Sequence, residues 1–147
     1  YKRQVLSPAG GMLQQVLPLF LAGLGGPVAT SGGESHDGSP WLSWIGADDI
    51  AGAFAHAVLD DGVTGPVNAV APEPVTAKEF ATVLGRVLRR PALIPVPEAG
   101  PRLLLGEEGR VETVAADQKV LADRLVASGY EMRDPELEGA LRHVLGR

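Results

Sequence analysis

Two adjacent carboxylates, Asp48 and Asp49, are the side chains in this sequence that most resemble an acid–base centre. They stand between an aromatic segment at 41–45 and a run of apolar residues that recur at helical spacing. Acidic residues in this position cap the free N–H groups of a starting helix and face the positive end of its dipole. We therefore interpret both carboxylates as helix-capping residues, in preference to a catalytic pair.

The three histidines, His36, His56 and His143, lack the spacing to each other or to carboxylates that a metal site requires. Cysteine is absent, so neither a disulfide nor a thiolate metal site can form. His36 falls in a polar segment, while the other two fall in predicted helices, where a solvated or half-buried role is expected. The sequence predicts no metal site.

Trp41 and Trp44 have two interpretations. Either ring could stack on a sugar or a nicotinamide, but core packing in a strand is the favoured alternative. Residues three apart on a strand face opposite sides, so at most one of the two can face a pocket.

Strand-like and helix-like segments alternate along the chain, which predicts an α/β or α+β class. The strand candidates lie at 4–6, 41–45, 65–71 and 130–133, with an extended piece at 93–97. Helices are predicted at 12–21, 48–59, 76–88 and 118–128, and a last helix begins at Asp134-Pro135-Glu136. Thr76 with Glu79 forms a capping-box pattern, and Gly129 stands where a helix-ending glycine belongs.

Apolar stripes predict which helix faces are buried. On the helix at 48–59 the stripe consists of Ile50, Ala53, Phe54, Ala57 and Val58. On the helix at 76–88 it consists of Phe80, Val83, Leu84, Val87 and Leu88, and on the last helix of Leu137, Leu141, Val144 and Leu145. Pro18 should kink the first helix or end it early.

Length and composition predict one globular region over 1–147. Apolar residues make up 45% of the chain and charged residues 21%. The net charge of -5 disfavours nucleic acid as a partner. The longest apolar stretch, at 16–24, is too short to cross a membrane. Within this region, the polar composition of 30–40 predicts a flexible surface loop, and the absence of cysteine is compatible with a cytoplasmic location.

An ordered series of segments connects the sequence to one family. The segments are Arg3 with Val5-Leu6-Ser7-Pro8-Ala9-Gly10-Gly11, Leu17-Pro18-Leu19-Phe20, Gly23-Leu24-Gly25-Gly26-Pro27, Trp41-Leu42-Ser43-Trp44-Ile45 with Asp48-Asp49, Gly65-Pro66-Val67-Asn68-Ala69-Val70-Ala71-Pro72, Glu79-Phe80, Leu84-Gly85-Arg86-Val87-Leu88, Arg90-Pro91-Ala92, Pro95-Val96-Pro97, Leu104-Leu105-Gly106-Glu107, Ser128-Gly129-Tyr130 and Pro135-Glu136-Leu137. Together they resemble the C-terminal part of the epimerase-like branch of the extended short-chain dehydrogenases/reductases, which includes proteins called SulA-like or nucleoside-diphosphate-sugar epimerases. The resemblance implies late sheet strands of a Rossmann-type fold and a small mixed α/β substrate lobe.

Members of this family bind NAD(P) in an N-terminal Rossmann half and carry a catalytic tyrosine with a lysine four residues later. These 147 residues contain neither the glycine-rich phosphate loop in its strand–helix context nor a lysine at that spacing from Tyr1 or Tyr130. We therefore expect no catalytic residue here, and no NAD(P) bound by this chain alone. The family also often has histidine where Gly46 stands.

The resemblance assigns binding roles to several positions. Arg3 matches an arginine expected near the cofactor. The turn at 7–11 and the loop at 23–26 would line the mouth of the substrate pocket, since glycine lets backbone approach a ligand closely. The resulting substrate-site candidates are Ser7, Gly10, Gly11, Gly25, Gly26, Trp41 and Trp44.

Two classes of function follow. The first is the substrate-binding C-terminal half of an NAD(P)-dependent epimerase or oxidoreductase that acts on a small substrate, with a nucleotide sugar as one possibility. The second is a free-standing, non-catalytic ligand-binding or interaction module, and a truncated fragment separated from its partner half is a third possibility. The expected partners are the small-molecule substrate and the N-terminal Rossmann half. An apolar surface left uncovered would favour a homodimer.

Overall fold

Five helices and four short strands form the regular structure of residues 4–26, 35, 38–90 and 119–147, which are the residues that the computed structural model describes. The helices are α1 (Gly11–Leu21), α2 (Ala47–Leu59), α3 (Ala77–Leu88), α4 (Asp123–Ala127) and α5 (Leu137–Val144). The strands are β1 (Gln4–Leu6), β2 (Trp41–Leu42), β3 (Trp44–Gly46) and β4 (Val75–Thr76). Strands and helices mix along the chain as predicted. Arg3, the extended piece at 93–97 and most of the 30–40 segment lie outside the described residues.

The strands pair in two small sheets. β1 lies parallel to β3, with Gln4 opposite Trp44 and Leu6 opposite Gly46. β2 lies antiparallel to β4. The single strand predicted at 41–45 is therefore two strands that divide at Ser43. The carbonyl of Ser43 accepts the N–H of Gln4 at 3.2 Å, and its hydroxyl accepts the N–H of Val120 at 2.9 Å.

The core forms where α1, α3 and α5 meet the strands. Its fully buried members include Leu6, Leu13, Trp44, Leu84 and Leu141. The predicted stripes of α3 and α5 supply much of it: Phe80, Leu84, Val87 and Leu88 are buried on α3, and Leu137 and Leu141 on α5. Because burial of apolar area is the main stabilising term in folding, this helical cluster sets the stability of the chain.

Helix α1 continues through Pro18 to Leu21, so of the two predicted outcomes, a kink or an early end, the early end is wrong. A proline removes the bond to the carbonyl four residues before it, which is that of Gln14. Both Pro18 and Gln14 are exposed, so water can satisfy that carbonyl. Two residues later Phe20 is buried, and its packing offsets the lost bond.

Helix α2 has the predicted bounds but not the predicted buried face. Ala53 is buried, whereas Phe54 is 68% and Val58 79% exposed. The sheet beneath α2 has only two strands among the described residues, which is too narrow to cover the apolar face of the helix. Its apolar face is consequently open to solvent.

The strand predicted at 65–71 is wrong. Ala71 donates one backbone bond, of 2.6 Å, to the carbonyl of Trp44, but the segment forms no ladder. Side chains hold it instead: the guanidinium of Arg124 donates to the carbonyls of Thr64 and Pro66 at 2.6 and 2.7 Å. The side-chain amide of Asn68 donates to the carbonyl of Leu121 at 3.4 Å.

The C-terminal elements differ from prediction at their starts. α4 begins at Asp123, although its predicted terminator Gly129 has the expected positive φ of 83°. The strand predicted at 130–133 is absent, because side chains rather than a neighbouring strand bind this segment. α5 begins at Leu137 with Glu136 as its N-cap, so Pro135 lies before the helix instead of in its first turn.

Helix α3 begins as the capping-box pattern predicts, since the hydroxyl of Thr76 accepts the N–H of Glu79 at 3.1 Å. Two residues of the 30–40 segment, Ser39 and Pro40, pack at the same helix start. The carbonyl of Pro40 accepts the N–H of Ala77, and the buried hydroxyl of Ser39 accepts that of Lys78.

No helix within the described ranges is long and apolar enough to span a membrane. The same part of the chain holds no group of three or more histidine, aspartate or glutamate side chains arranged to bind a metal ion.

Candidate functional site

The carboxyl ends of the parallel strands β1 and β3 lie side by side and mark the candidate site. β1 ends at Leu6 and leads through a turn into α1, while β3 ends at Gly46 and leads directly into α2. In α/β proteins, ligands bind outside the carboxyl ends of parallel strands. This edge of the sheet is therefore the candidate ligand-binding site.

The turn that follows β1 is closed by its own backbone and side chain. Ser7 and Gly10 pair as an isolated bridge, and the Ser7 hydroxyl accepts the N–H of Ala9 at 3.2 Å. Gly11, with φ of 68°, needs the conformational freedom of glycine to enter α1. The turn therefore has a defined shape and presents Pro8 at its tip.

A cavity of about 250 Å³ opens at this edge, between the turn, the start of α2 and the end of α5. It is lined by Pro8, Gly46, Ala47, Asp48, Asp49, Asp134, His143 and Val144. A Cβ atom on Gly46 would meet only Asp49 Oδ2, at 3.6 Å, so the glycine leaves space in the cavity. We call this cavity the carboxyl-edge pocket.

Asp49 joins the first turn of α2 to the segment before α5. Its side chain accepts the backbone N–H of Arg133 at 2.8 Å and that of Asp134 at 3.2 Å. Tyr130 donates its hydroxyl to the Asp49 carbonyl at 3.0 Å. The prediction that Asp48 and Asp49 cap α2 is wrong. The N-cap residue is Gly46, and no side chain accepts a capping hydrogen bond at the start of this helix. Asp49 is 2% exposed and serves tertiary structure.

Burial of the phenol and the nearby Asp49 carboxylate raise the pKa of Tyr130 above its ordinary value of 10.0. The hydroxyl is therefore neutral and available as a hydrogen-bond donor. Its position depends on Gly52, since a Cβ atom there would lie 2.2 Å from the hydroxyl oxygen.

His143 lies between two carboxylates at the rim of the pocket. Its Nδ1 is 2.5 Å from Asp134 Oδ2, and its Nε2 is 3.3 Å from Asp48 Oδ2. The guanidinium of Arg133 reaches the same Asp48 oxygen at 3.4 Å. The pocket rim thus carries a chain of contacts between carboxylates and basic side chains that links α2, the segment before α5, and α5 itself.

The sequence of this chain is similar to one group of known proteins. Residues 96–144 match a family described as a domain of unknown function, DUF1731. Epimerase family protein SDR39U1 of Bos taurus is 41% identical over 142 residues, which are 96% of this chain and 46% of that protein. Epimerase family protein YfhF of Bacillus subtilis is 34% identical over 96% of this chain and 43% of its own length.

Two solved structures are similar to this chain over nearly its whole length. The crystal structure of human epimerase family protein SDR39U1 with NADPH matches with a TM-score of 0.79 at 36% identity, over 97% of this chain and 45% of that one. That of a nucleoside-diphosphate sugar epimerase from Corynebacterium glutamicum matches with a TM-score of 0.64 at 29% identity, over 97% of this chain and 24% of that one. The chain corresponds to the C-terminal part of epimerase-family proteins.

The chain matches the C-terminal part of these relatives and spans less than half of their length. The resemblance drawn from the ordered segments is confirmed, and so is the α/β fold class. Residues 96–144 overlap α4, α5 and the loop that binds Asp49, so the matched family region includes one wall of the carboxyl-edge pocket.

The structure divides the predicted glycine and serine site residues into two groups. Ser7, Gly10 and Gly11 belong to the turn at the carboxyl edge. Gly25 and Gly26 are buried away from the lining of the pocket, and a Cβ on Gly25 would lie 2.4 Å from the ring of Phe20. Close packing is thus sufficient to account for the glycine at 25, and its substrate-binding role stays a prediction.

The two tryptophans lie in different sheets. Trp44 is 1% exposed in the core, as the packing interpretation expects, and its indole N–H donates to the Glu73 carbonyl at 3.1 Å. It borders a second cavity of about 410 Å³ between α3 and α5. Trp41 is half-buried on β2, with the Lys119 ammonium 4.5 Å from its ring centroid.

Sequence reasoning missed the residues that build the pocket rim. Asp134 and His143 are brought to Asp48 only by the fold, and no local spacing indicates that contact. The available signal was a histidine on the last helix nine residues after an aspartate, a pattern too common to single out.

Proposed function

We propose that this chain is the substrate-binding C-terminal part of an NAD(P)-dependent epimerase or oxidoreductase, and that the carboxyl-edge pocket forms one wall of its substrate site. The observation that carries the proposal is a polar pocket at the carboxyl ends of two parallel strands, in a chain whose human relative was crystallised with NADPH. NAD(P) would supply hydride transfer. We expect the part of the protein beyond this match to hold it, and Arg3 to contact it.

The described pocket residues do not fit the dinucleotide itself. Three of them are aspartates, and carboxylates repel the negatively charged pyrophosphate. A volume of about 250 Å³ is also below the usual range for a site that encloses a drug-sized ligand. We therefore derive no step through the cofactor from these residues.

The same residues suit a small ligand with several hydroxyl groups. Carboxylates accept hydrogen bonds from hydroxyls, and Asp48 is 60% exposed on the pocket rim, where a ligand can reach it. Apolar Pro8 and Val144 offer surface for the carbon face of a sugar ring. These features support a sugar or sugar-like substrate in which any phosphate group lies outside the pocket.

A surface on α2 supports the partner expected from the family. Phe54, Val58 and Leu59 are 68%, 79% and 83% exposed, and Ala51 and Ala55 extend the same apolar face. β1 pairs only with β3 among the described residues, and parallel sheets are normally wider and covered by helices on both faces. We propose that the N-terminal half of the epimerase fold covers this face. A cytoplasmic location stays a prediction.

Ligand titration of the ¹⁵N-labelled chain tests the substrate site. Adding glucose, UDP-glucose and NADPH separately should shift the amide signals of Ala47, Asp48 and Val144 with the two sugars. NADPH should leave them in place. Shifts confined to Val75 and Glu79, which line the second cavity, would move the site there, and a response to NADPH alone would overturn the assignment.

Complementation tests the partner and separates the enzyme from the free-standing module. The N-terminal part of the human relative, made separately, should form a complex with this chain that binds NADPH. Val58→Asp should abolish the complex, whereas Leu21→Asp, at an exposed leucine of α1, should not. If the chain instead forms a homodimer that Val58→Asp dissociates, and no complex appears, the module is favoured.

A further inference from the structure

We propose that His143 is a protonation-dependent latch that holds the end of α5 against the start of α2 and so sets the width of the carboxyl-edge pocket. The imidazole lies between Asp134 Oδ2, at 2.5 Å from Nδ1, and Asp48 Oδ2, at 3.3 Å from Nε2. Asp48 is in the first turn of α2, and His143 is in the last turn of α5. Both residues, with Asp134, line the pocket.

The chemistry of imidazole makes this arrangement depend on a proton. A neutral ring has one N–H donor and one lone pair, whereas the protonated ring donates from both nitrogens. Carboxylates are acceptors only, so both contacts are favourable at once only when the ring is protonated. In the neutral ring, one lone pair faces a carboxylate and that contact becomes repulsive.

The surrounding charges decide which contact is released. Arg133 shares Asp48 Oδ2 with His143, at 3.4 Å, so Asp48 keeps a cationic partner when the imidazole loses its proton. Asp134 is fixed through its own backbone N–H, which donates to Asp49. Asp49 is in turn occupied by the backbone of 133 and 134. The latch therefore opens at the Asp48 contact, which connects α5 to α2.

No other charged side chain on the described walls of the pocket replaces this contact. The turn at 7–10 contributes Pro8 and carries no charge. Arg142, beside His143, is paired with Glu138 at 2.8 Å. Protonation of the imidazole therefore closes the latch, and loss of that proton opens it.

The latch stands on the geometry of the three side chains, while its effect on substrate access rests on the proposed function. An open latch frees His143 and Val144, which form one wall of the pocket. We expect sugar binding at the pocket to change with pH across the range in which the imidazole titrates.

An NMR pH titration of the full chain tests the latch. The amide signals of Ala47 and Val144 should move with the same pH dependence as the His143 ring signals. Asp48→Ala should remove that shared dependence, because it deletes the α2 side of the contact, and its exposed position makes unfolding improbable. His56→Gln is the matched control: His56 bonds Ser128 and lies near Asp60, away from the pocket, so the coupling should remain.

The proposal is overturned if the Ala47 and Val144 signals do not follow the His143 ring, or if Asp48→Ala leaves their dependence unchanged. His143→Gln provides a second measurement, since a glutamine cannot titrate and the pH dependence at Ala47 should vanish. If the latch behaves as expected but sugar binding does not change with pH, the assignment of the pocket as a substrate site fails while the latch stands.

Discussion

The side chain of Asp49 accepts the backbone N–H of Arg133 at 2.8 Å, which ties the first turn of α2 to the segment before α5. The adjacent N–H of Asp134 donates to the other oxygen of the same carboxylate. A segment that would otherwise need a strand partner thus has its backbone satisfied by one buried charge. By fixing residues 133 and 134, these hydrogen bonds position the start of α5. The later residues His143 and Val144 of this helix line the pocket.

Replacing Asp49 with Asn should lower the free energy of unfolding by about 1–3 kcal/mol, because the amide cannot accept both N–H groups and one buried donor loses its partner. Urea unfolding followed by circular dichroism measures the change. Asp48→Asn is the control, and at that exposed position the cost should stay within about 1 kcal/mol. Equal costs for the two variants would contradict a tertiary role for Asp49.

Gly52→Ala and Gly139→Ala should have opposite effects, although both glycines lie within helices. A Cβ on Gly52 would lie 2.2 Å from the Tyr130 hydroxyl, so the substitution should cost about 1–3 kcal/mol. A Cβ on the exposed Gly139 meets only Asp134 Oδ1, at 3.9 Å, and alanine there should stabilise α5 by about 0.5–1 kcal/mol. Urea midpoints of the two variants decide the matter, and a stable Gly52→Ala protein would refute the described Tyr130 position.

Gly25→Ala tests whether that glycine is required for packing. Its Cβ would lie 2.4 Å from the buried ring of Phe20, which predicts destabilisation by about 1–3 kcal/mol without any ligand present. Gly10→Ser is the comparison, since nothing lies within 4 Å and serine is a good N-cap, so stability should rise by about a few tenths of a kcal/mol. A neutral Gly25→Ala would reopen a ligand role for the glycine.

Tyr130 should make stability depend on alkaline pH. Burial and the Asp49 carboxylate raise its pKa in the folded chain, so the unfolded chain loses the phenolic proton first. The stabilising contribution is complete below about pH 10 and is lost as the pH rises through the folded-state pKa. The difference in unfolding free energy between the wild type and Tyr130→Phe, measured from neutral to alkaline pH, should therefore shrink. A constant difference would show that the phenol does not titrate between the two states.

Features that depend on nearby residues were predictable. The hydroxyl of Thr76 caps the N–H of Glu79 only three positions away, and the stripes of α3 and α5 are buried as their spacing indicates. The turn at 7–11 was placed correctly for the same reason, since glycine and proline define it locally.

Features that depend on distant partners were not predictable. Phe54 and Val58 are exposed because the sheet beneath α2 has only two strands in the described part of the chain, and the periodicity of the helix carries no information on sheet width. Asp49 looked like a helix cap because its partners lie 84 and 85 residues further along. For His143 the sequence predicted only a solvated or half-buried helix position for a similar reason: its contact with Asp48 exists only once α5 packs against the rest of the fold.

Helix α5 contributes to both the core and the pocket. Leu137, Ala140 and Leu141 are buried in the core, while His143 and Val144 line the carboxyl-edge pocket. A ligand bound in the pocket therefore contacts the same helix that packs into the hydrophobic core. Ligand binding should consequently raise the melting temperature of the chain. A dye-based melting screen of a metabolite library can therefore search for the natural ligand without an assay for turnover.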